Sequence, residues 1–272
     1  VSRISARFAA LKVANKKAFI PFISAGDPDI ATFAQLLASL PKAGCDLIEI
    51  GMPFSDPMAD GPAIERANLR AFAAGITMQK ILQQVAVFRE RDNETPLILM
   101  GYANPIYSYK IDKFVNDAKK AGVDGLIIAD LPPEEDAELR DPASKAGIDI
   151  IRLVAPTTDA KRLTTILKGA TGFLYYVSVT GITGSKEVSA EPVKRALEAI
   201  RTQSTLPVAV GFGISTPEQA KEIAAVADAV VVGSAIVNRI ASNLDAQNKV
   251  KPGLINDVLS FVEALAKATH NG

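Results

Sequence analysis

The stretch Leu47-Ile48-Glu49-Ile50-Gly51-Met52-Pro53-Phe54-Ser55-Asp56-Pro57-Met58-Ala59-Asp60-Gly61-Pro62 compresses one strand-loop-helix unit into sixteen residues. Leu47 to Gly51 is an apolar run of strand length, interrupted only by Glu49. A loop punctuated by Pro and Gly follows and carries two more acids, Asp56 and Asp60. The segment from Pro62 to Gly75 then reads as a small helix. A carboxylate inside an apolar strand is expensive to keep ionised, so it must be paired, hydrated or used in proton transfer. Two acids near one strand end can divide acid and base roles between them.

The same unit recurs on both sides of this stretch. Apolar strand candidates are Phe19 to Ser24, Leu47 to Gly51, Leu97 to Gly101, Gly125 to Ala129, Ile148 to Val154, Phe173 to Val179, Val208 to Gly211 and Ala229 to Gly233. Most are nearly unbroken Val/Ile/Leu runs, as expected of parallel strands covered on both faces. Between them lie helical patterns over Ile30 to Lys42, Met78 to Arg91, Ile111 to Ala121, Pro133 to Ala146, Ala160 to Leu167, Pro192 to Thr202 and Pro217 to Val226. Thr216-Pro217-Glu218 is a helix start with Pro at the first helical position. Gly44, Gly122 and Gly147 follow helical patterns where a left-handed cap is wanted. Eight such units predict an α/β fold, a (β/α)8 barrel occupying residues 1–272 as a single domain. An open doubly wound sheet is the competing architecture. The first strand is not followed by Gly-x-Gly-x-x-Gly, which argues against its dinucleotide-binding form.

Composition narrows the function classes. The 30 basic and 30 acidic side chains balance, so nothing points to nucleic acid or an anionic membrane surface. The lone Cys45 reads as core packing. The lone histidine, His270, sits in the last three residues, which excludes a His-rich zinc site and argues against a Ser-His-Asp centre. No apolar run reaches the roughly 18 residues of a membrane span. Ile4, Phe8 and Leu11 share one face of a basic, amphipathic N-terminal segment. That pattern fits an extra helix packed on the domain, and a transit peptide is the other reading.

In a barrel the active site lies at the C-terminal strand ends. Phe22, Glu49, Asp60, Met100, Tyr102, Asp130, Tyr175, Gly211 to Gly213, Gly233 and Ser234 all fall there. By strand alternation, an inward Glu49 brings Leu47 and Gly51 inward and leaves Ile48 and Ile50 facing the helices. The plainer reading of Glu49 is a buried ion pair with Arg152; that of Asp60 is a turn or cap before Gly61-Pro62. Asp56 before Pro57 is most simply a turn residue. Gly211-Phe212-Gly213-Ile214-Ser215 and Gly233-Ser234-Ala235 follow the last two strands, the recurrent phosphate position of this fold, and the second opens a helix. Both motifs also suit plain tight turns. Gly181-Ile182-Thr183-Gly184-Ser185 lies in a long polar loop, Gly181 to Ala190, suited to a closing lid. Phe22, Met100, Ile127, Leu153, Tyr175, Phe212 and Val231 form an apolar and aromatic set around the carboxylates. Together they suit a flat hydrophobic group joined to a phosphorylated tail.

These segments resemble the tryptophan synthase alpha subunit family. The resemblance rests on Pro21-Phe22-Ile23-Ser24-Ala25-Gly26-Asp27-Pro28, Glu49 to Pro62, Met100-Gly101-Tyr102-Ala103-Asn104-Pro105, Asp130-Leu131-Pro132, Gly181-Ile182-Thr183-Gly184 and Gly211-Phe212-Gly213-Ile214-Ser215, and it spans essentially the whole chain. It implies retro-aldol cleavage of indole-3-glycerol phosphate to indole and glyceraldehyde 3-phosphate. It implies Glu49 as acid-base catalyst, Asp60 near the indole nitrogen and Tyr175 beside the reacting centre. Phe22, Met100, Tyr102, Ile127, Leu153, Thr183, Phe212 and Val231 would contact the substrate, and Gly184, Gly213, Gly233 and Ser234 would hold its phosphate. Met100, Ile127 and Val231 stand where the family often has Leu or Ile, which are mild changes of size. The resemblance further implies a cytoplasmic chain with no cofactor or metal of its own. Its partner would be a pyridoxal-phosphate-containing beta subunit in an alpha-beta-beta-alpha complex, met through Pro53, Asp56, Asn104 and Pro105.

Overall fold

The fifth predicted strand is where the fold closes on itself. The computed structural model describes residues 2–178, 190–211 and 213–272. Its elements run α1 (Arg3–Val13), β1 (Ala18–Ser24), α2 (Ile30–Ser39), β2 (Ile48–Gly51), α3 (Pro62–Ala73), α4 (Met78–Arg89), β3 (Leu97–Gly101), α5 (Ala103–Tyr109), α6 (Ile111–Ala121) and β4 (Gly125–Ile128). They continue with α7 (Ala137–Lys145), β5 (Asp149–Ile150), β6 (Arg152–Val154), α8 (Ala160–Ile166), β7 (Leu174–Val177), α9 (Ala190–Arg201), β8 (Val208–Gly211), α10 (Pro217–Ala224), β9 (Ala229–Val232), α11 (Ser234–Ser242) and α12 (Leu254–His270). All described ladders between named strands are parallel, in the order β5-β4-β3-β2-β1-β9-β8-β7-β6. The two end strands are halves of one predicted strand, separated only by Ile151. The first half pairs with β4 and the second with β7. The sheet is therefore a (β/α)8 barrel, and the open doubly wound alternative falls away.

Strand alternation divides the core into two layers. Ala18, Ile20, Leu47, Ile98, Ile127, Ile151, Phe173, Tyr175, Ala209, Ala229 and Val231 form one buried cluster inside the barrel. Their neighbours Phe19, Ile48, Ile50, Leu97, Leu99, Leu126, Leu174, Val208, Val210 and Val230 belong to a second cluster shared with the helices. This parity places Glu49 on the inside, as expected. It also removes Arg152 as a partner for Glu49. Arg152 shares the outward parity of Ile150 and Val154, and its guanidinium pairs with Asp136, which Arg140 also engages. A cavity of about 260 Å³ lies beside Arg140, Arg152 and Arg162 and includes neither Glu49 nor Asp60.

The N-terminal end is sealed by structure-bearing polar groups. Ile4, Phe8 and Leu11 of α1 join the barrel-interior cluster, with the Phe8 ring 5.7 Å from that of Phe173. The N-terminal segment is thus a packed helix. Asp124 accepts from the Leu97 amide at 2.8 Å and pairs with Arg89 and Arg3. Asp46 Oδ2 accepts from the Phe19 amide at 2.9 Å, and His270 Nε2 lies 2.8 Å from the same oxygen. The lone histidine therefore anchors the last helix to the barrel floor. Cys45 is buried, in keeping with a packing role.

Gly44, Gly122 and Gly147 all take the left-handed conformation expected of helix caps. Thr216 forms a complete capping box with Gln219. Two helices stand outside the predicted set, α5 and α12. The Asn104-Pro105 pair lies in the first turn of α5 rather than in an open turn, which suits Pro because early helical N–H groups have no intrahelical partner. The predicted helix from Pro133 begins only at Ala137, because Pro133 to Glu135 form a turn closed by the Glu135 amide on the Pro132 carbonyl.

Candidate active site

Glu49 is carried by β2 in register with Phe22 of β1 on one side and Ile98 of β3 on the other. The side chain is 1 % exposed, and its Oε2 has no hydrogen-bond partner among the described residues. Burial without compensation pushes the carboxyl up to about 8. Near neutral pH it is mostly a neutral acid, able to donate a proton and then take one back.

Tyr175 lies close enough for the charge of Glu49 to act on it. Burial first, and that charge second, hold the phenol well above its ordinary range, so it stays protonated. Two glycines make room for these rings. A Cβ on Gly211 would fall 2.2 Å from the Tyr175 hydroxyl, and one on Gly51 would fall 2.5 Å from the Phe22 ring edge. Neither position accommodates a side chain without moving the wall of the site.

Asp60 is neither the cap of α3 nor a free turn residue. Gly61 occupies the cap position, with no side-chain cap bond. The Asp60 Oδ1 accepts from the Tyr102 hydroxyl at 3.0 Å, and Oδ2 accepts from Asn68 Nδ2 at 3.2 Å. Tyr102 also accepts from the Ala59 amide at 3.0 Å, so one phenol ties both the acid and its loop to the end of β3. Burial raises the Asp60 carboxyl, while the bonds from Tyr102 and Asn68 oppose that rise. The environments of Glu49 and Asp60 thus differ in kind: one carboxyl has an oxygen with no donor among the described residues, the other is furnished with two donors.

The described apolar residues of the expected set fall into two clusters. Ile127, Tyr175 and Val231 belong to the barrel-interior cluster, with Met100 and Leu153 packed against it. Phe22 joins Ala63, Ala67 and Val237, again with Met100 alongside. After β8, Gly213 has φ +80°, a conformation that L side chains rarely adopt. After β9, Gly233 caps α11 without a side-chain bond, leaving the amide end of that helix available to an anion. Thr183, Gly184 and Phe212 lie outside the described residues. On the loop after β2, Asp56 is exposed and bonds to Ser55, and Asn104 is exposed nearby in sequence to Tyr102, whereas Pro53 is buried and Pro105 half-buried. Asn68 was not singled out by sequence reasoning. The only signal was its occurrence on the apolar side of α3, among Ala63, Ala67 and Ala71.

The family profile of the tryptophan synthase alpha chain matches residues 8–269. This chain belongs to that family. It is 52 % identical over 271 residues to the tryptophan synthase alpha chain of Gluconacetobacter diazotrophicus, covering 100 % of this chain and 99 % of the relative. The crystal structure of tryptophan synthase subunit alpha from Legionella pneumophila superposes with a TM-score of 0.90 at 39 % identity, covering all of both chains. A chain from Mycobacterium tuberculosis tryptophan synthase superposes with a TM-score of 0.88 at 30 % identity, again over all of both chains. As an alpha chain, the protein is a lyase subunit of tryptophan biosynthesis that cleaves indole-3-glycerol phosphate, and its family works with a beta subunit. No helix among the described residues is long and apolar enough to cross a membrane.

Proposed function

We propose that Glu49 and Asp60 carry the cleavage of indole-3-glycerol phosphate in this chain. The observation behind this reading is the contrast between them: a buried carboxyl at about 8 with an unpartnered oxygen, and a second carboxyl gripped by two donors. Neutral Glu49 donates its proton to the indole ring carbon that bears the glycerol chain. The positive charge that develops reaches the ring nitrogen, where ionised Asp60 accepts the N–H and stabilises it. The Glu49 carboxylate then removes the proton from the neighbouring chain hydroxyl. That oxygen becomes the aldehyde of glyceraldehyde 3-phosphate as the carbon-carbon bond breaks and its electron pair restores the indole. Glu49 ends protonated, as it began. Tyr175 borders the reacting centre, Phe22, Met100, Tyr102, Ile127, Leu153 and Val231 wall the indole with Phe212 and Thr183, and Gly213, Gly233 and Ser234 hold the phosphate with Gly184.

The cycle needs no metal or cofactor from this chain. We further propose that the indole passes to a pyridoxal-phosphate-containing beta subunit in an alpha-beta-beta-alpha complex, in the cytoplasm. The test is indole release from indole-3-glycerol phosphate by Glu49→Gln and Asp60→Asn, with glycerol 3-phosphate binding as the control. Folded variants that bind the phosphate ester but lose at least ~10²-fold in turnover support the assignment. A Gln variant near wild-type turnover overturns it.

A further inference from the structure

Asp60 would serve the reaction only as an anion in one orientation, and the fold commits a second buried residue to that orientation. Asn68 is 4 % exposed and sits on α3, two turns beyond Asp60 in the chain. Its Nδ2 donates to Asp60 Oδ2 at 3.2 Å, while its Oδ1 receives the Ser24 hydroxyl at 3.5 Å, a long contact to the end of β1. The amide is thus oriented from both sides, with its donor end toward the carboxylate.

The helix beneath it is fixed with unusual force for a loop-side element. Two residues further on, Arg70 grips Asp27, after β1, through Nε at 2.6 Å and Nη2 at 3.0 Å. Both side chains are nearly or fully buried, at 9 % and 0 % exposure. A bidentate pair of this kind fixes direction as well as distance. Along the same buried side α3 packs Ala63 and Ala67 against Phe22 and Val237 of α11. Asn68 therefore cannot drift relative to β1 without breaking the ion pair or that packing.

We propose that Asn68 is a positioning residue of the lyase site, which holds Asp60 ionised and aimed while Tyr102 holds its other oxygen. The proposal rests on the reading of Asp60 as the acceptor for the indole N–H. Two donors, one on each oxygen, fix the carboxylate plane and leave one lone pair on each oxygen for the substrate. Both donors favour the ionised form and oppose burial and the neighbouring Glu65 charge, which between them still leave the carboxyl raised. Removing the Asn68 donor should therefore raise the pH needed to ionise Asp60, and should act on kcat more than on KM.

The experiment measures indole release against pH, in the presence of a beta subunit, for Asn68→Ala, Asn68→Asp, Asp60→Asn and Asp60→Asn/Asn68→Ala. Glycerol 3-phosphate affinity and the melting temperature report on the fold. Asn68→Ala is expected to lose about 10-fold to 100-fold in kcat, the usual weight of a hydrogen bond to a charged group. The acidic limb of its profile should move to higher pH. Asn68→Asp should move that limb further, because a second carboxylate opposes the first. In the Asp60→Asn background the Ala substitution should add little, since its effect runs through the missing carboxylate. An unshifted acidic limb in a folded Asn68→Ala, or full additivity in the double variant, overturns the proposal. Near wild-type activity of Asp60→Asn overturns the underlying reading instead, and the two failures are distinguishable.

Discussion

At the residue scale the informative side chain is one whose hydrogen bonds are missing. Glu49 faces inward because β2 alternates, and no described residue inside this barrel donates to its Oε2. A neutral acid at pH 7 follows, and so does a stability effect whose sign can be worked out. The native carboxyl titrates at about 8 and the ordinary value is 4.5. Between those pH values the folded chain binds a proton that the unfolded chain has lost, so stability falls as pH rises through this window. The penalty is absent below pH 4.5 and complete above about pH 8. Its ceiling is on the order of 5 kcal/mol. Glu49→Gln has no proton to lose. Its melting temperature should match wild type near pH 4.5 and exceed it by several degrees at pH 9. A gap that stays constant across that range would mean that Glu49 is not buried as a neutral acid. In activity, kcat/KM of the wild type should decline above about pH 8 as the acid form is lost. The inward acid was legible in the sequence, because a charged residue in an apolar strand has only two faces to choose from. Its rejected partner was not legible: the parity of Arg152 depends on where the fifth strand breaks, and no local pattern marks Ile151.

At the element scale, α3 joins the three parts of the site. It starts just after Asp60, carries Asn68, clamps β1 through Arg70 and packs on α11, whose first residues follow Gly233. The sequence pattern showed that a helix stands there, through Pro62 and Gly75. It did not show the long-range pairing of Arg70 with Asp27, 43 residues away. The same limit hid the role of α12, which is anchored by a contact between His270 and Asp46, 224 residues apart. The caps at Gly44, Gly122 and Gly147 were legible because a left-handed residue after a helix is a local requirement. The two phosphate-side glycines make different demands, and that difference dictates the better test. Any side chain at Gly213 is strained by its φ of +80°. A Cβ on Gly233 would meet only the ordinary contact distance, 3.4 Å, from Phe22. Gly233→Ala should therefore fold normally, with its methyl group intruding only on a ligand at the helix terminus. We expect glycerol 3-phosphate affinity to fall by about 10-fold, with indole affinity within about 2-fold of wild type. Equal losses for both ligands in calorimetry would place the damage in the fold rather than in phosphate recognition.

At the scale of the whole molecule, the two barrel ends are built to different standards. The N-terminal end is closed by α1 and by acids satisfied with fixed donors: Asp46 by the Phe19 amide, and Asp124 by the Leu97 amide, Arg3 and Arg89. The C-terminal end leaves exposed groups on the loop that carries Asp60. Met58 is 81 % exposed, and Ser55 and Asp56 are exposed beside it. An exposed large apolar residue next to a carboxylate, at the mouth of the site, suits a surface completed by another chain. The described side-chain tethers between this loop and the rest of the site are Tyr102, through Ala59 and Asp60, and Asn68, through Asp60. A beta subunit that seats on the tip would therefore act on Asp60 through very few bonds. The free chain should be a poor catalyst, and titration with a beta subunit should raise steady-state indole release. Asp56→Ala should blunt that rise while leaving the rate without partner nearly unchanged, because among the described residues Asp56 bonds only to Ser55 and to neither Glu49 nor Asp60. Protease protection of residues 53–60 should appear with the beta subunit in wild type and weaken in the variant. Full activity of the isolated chain, with no response to added partner, would mean that Asp60 is already held in its working position by Tyr102 and Asn68 alone. The loop tip would then have no catalytic business with a second subunit.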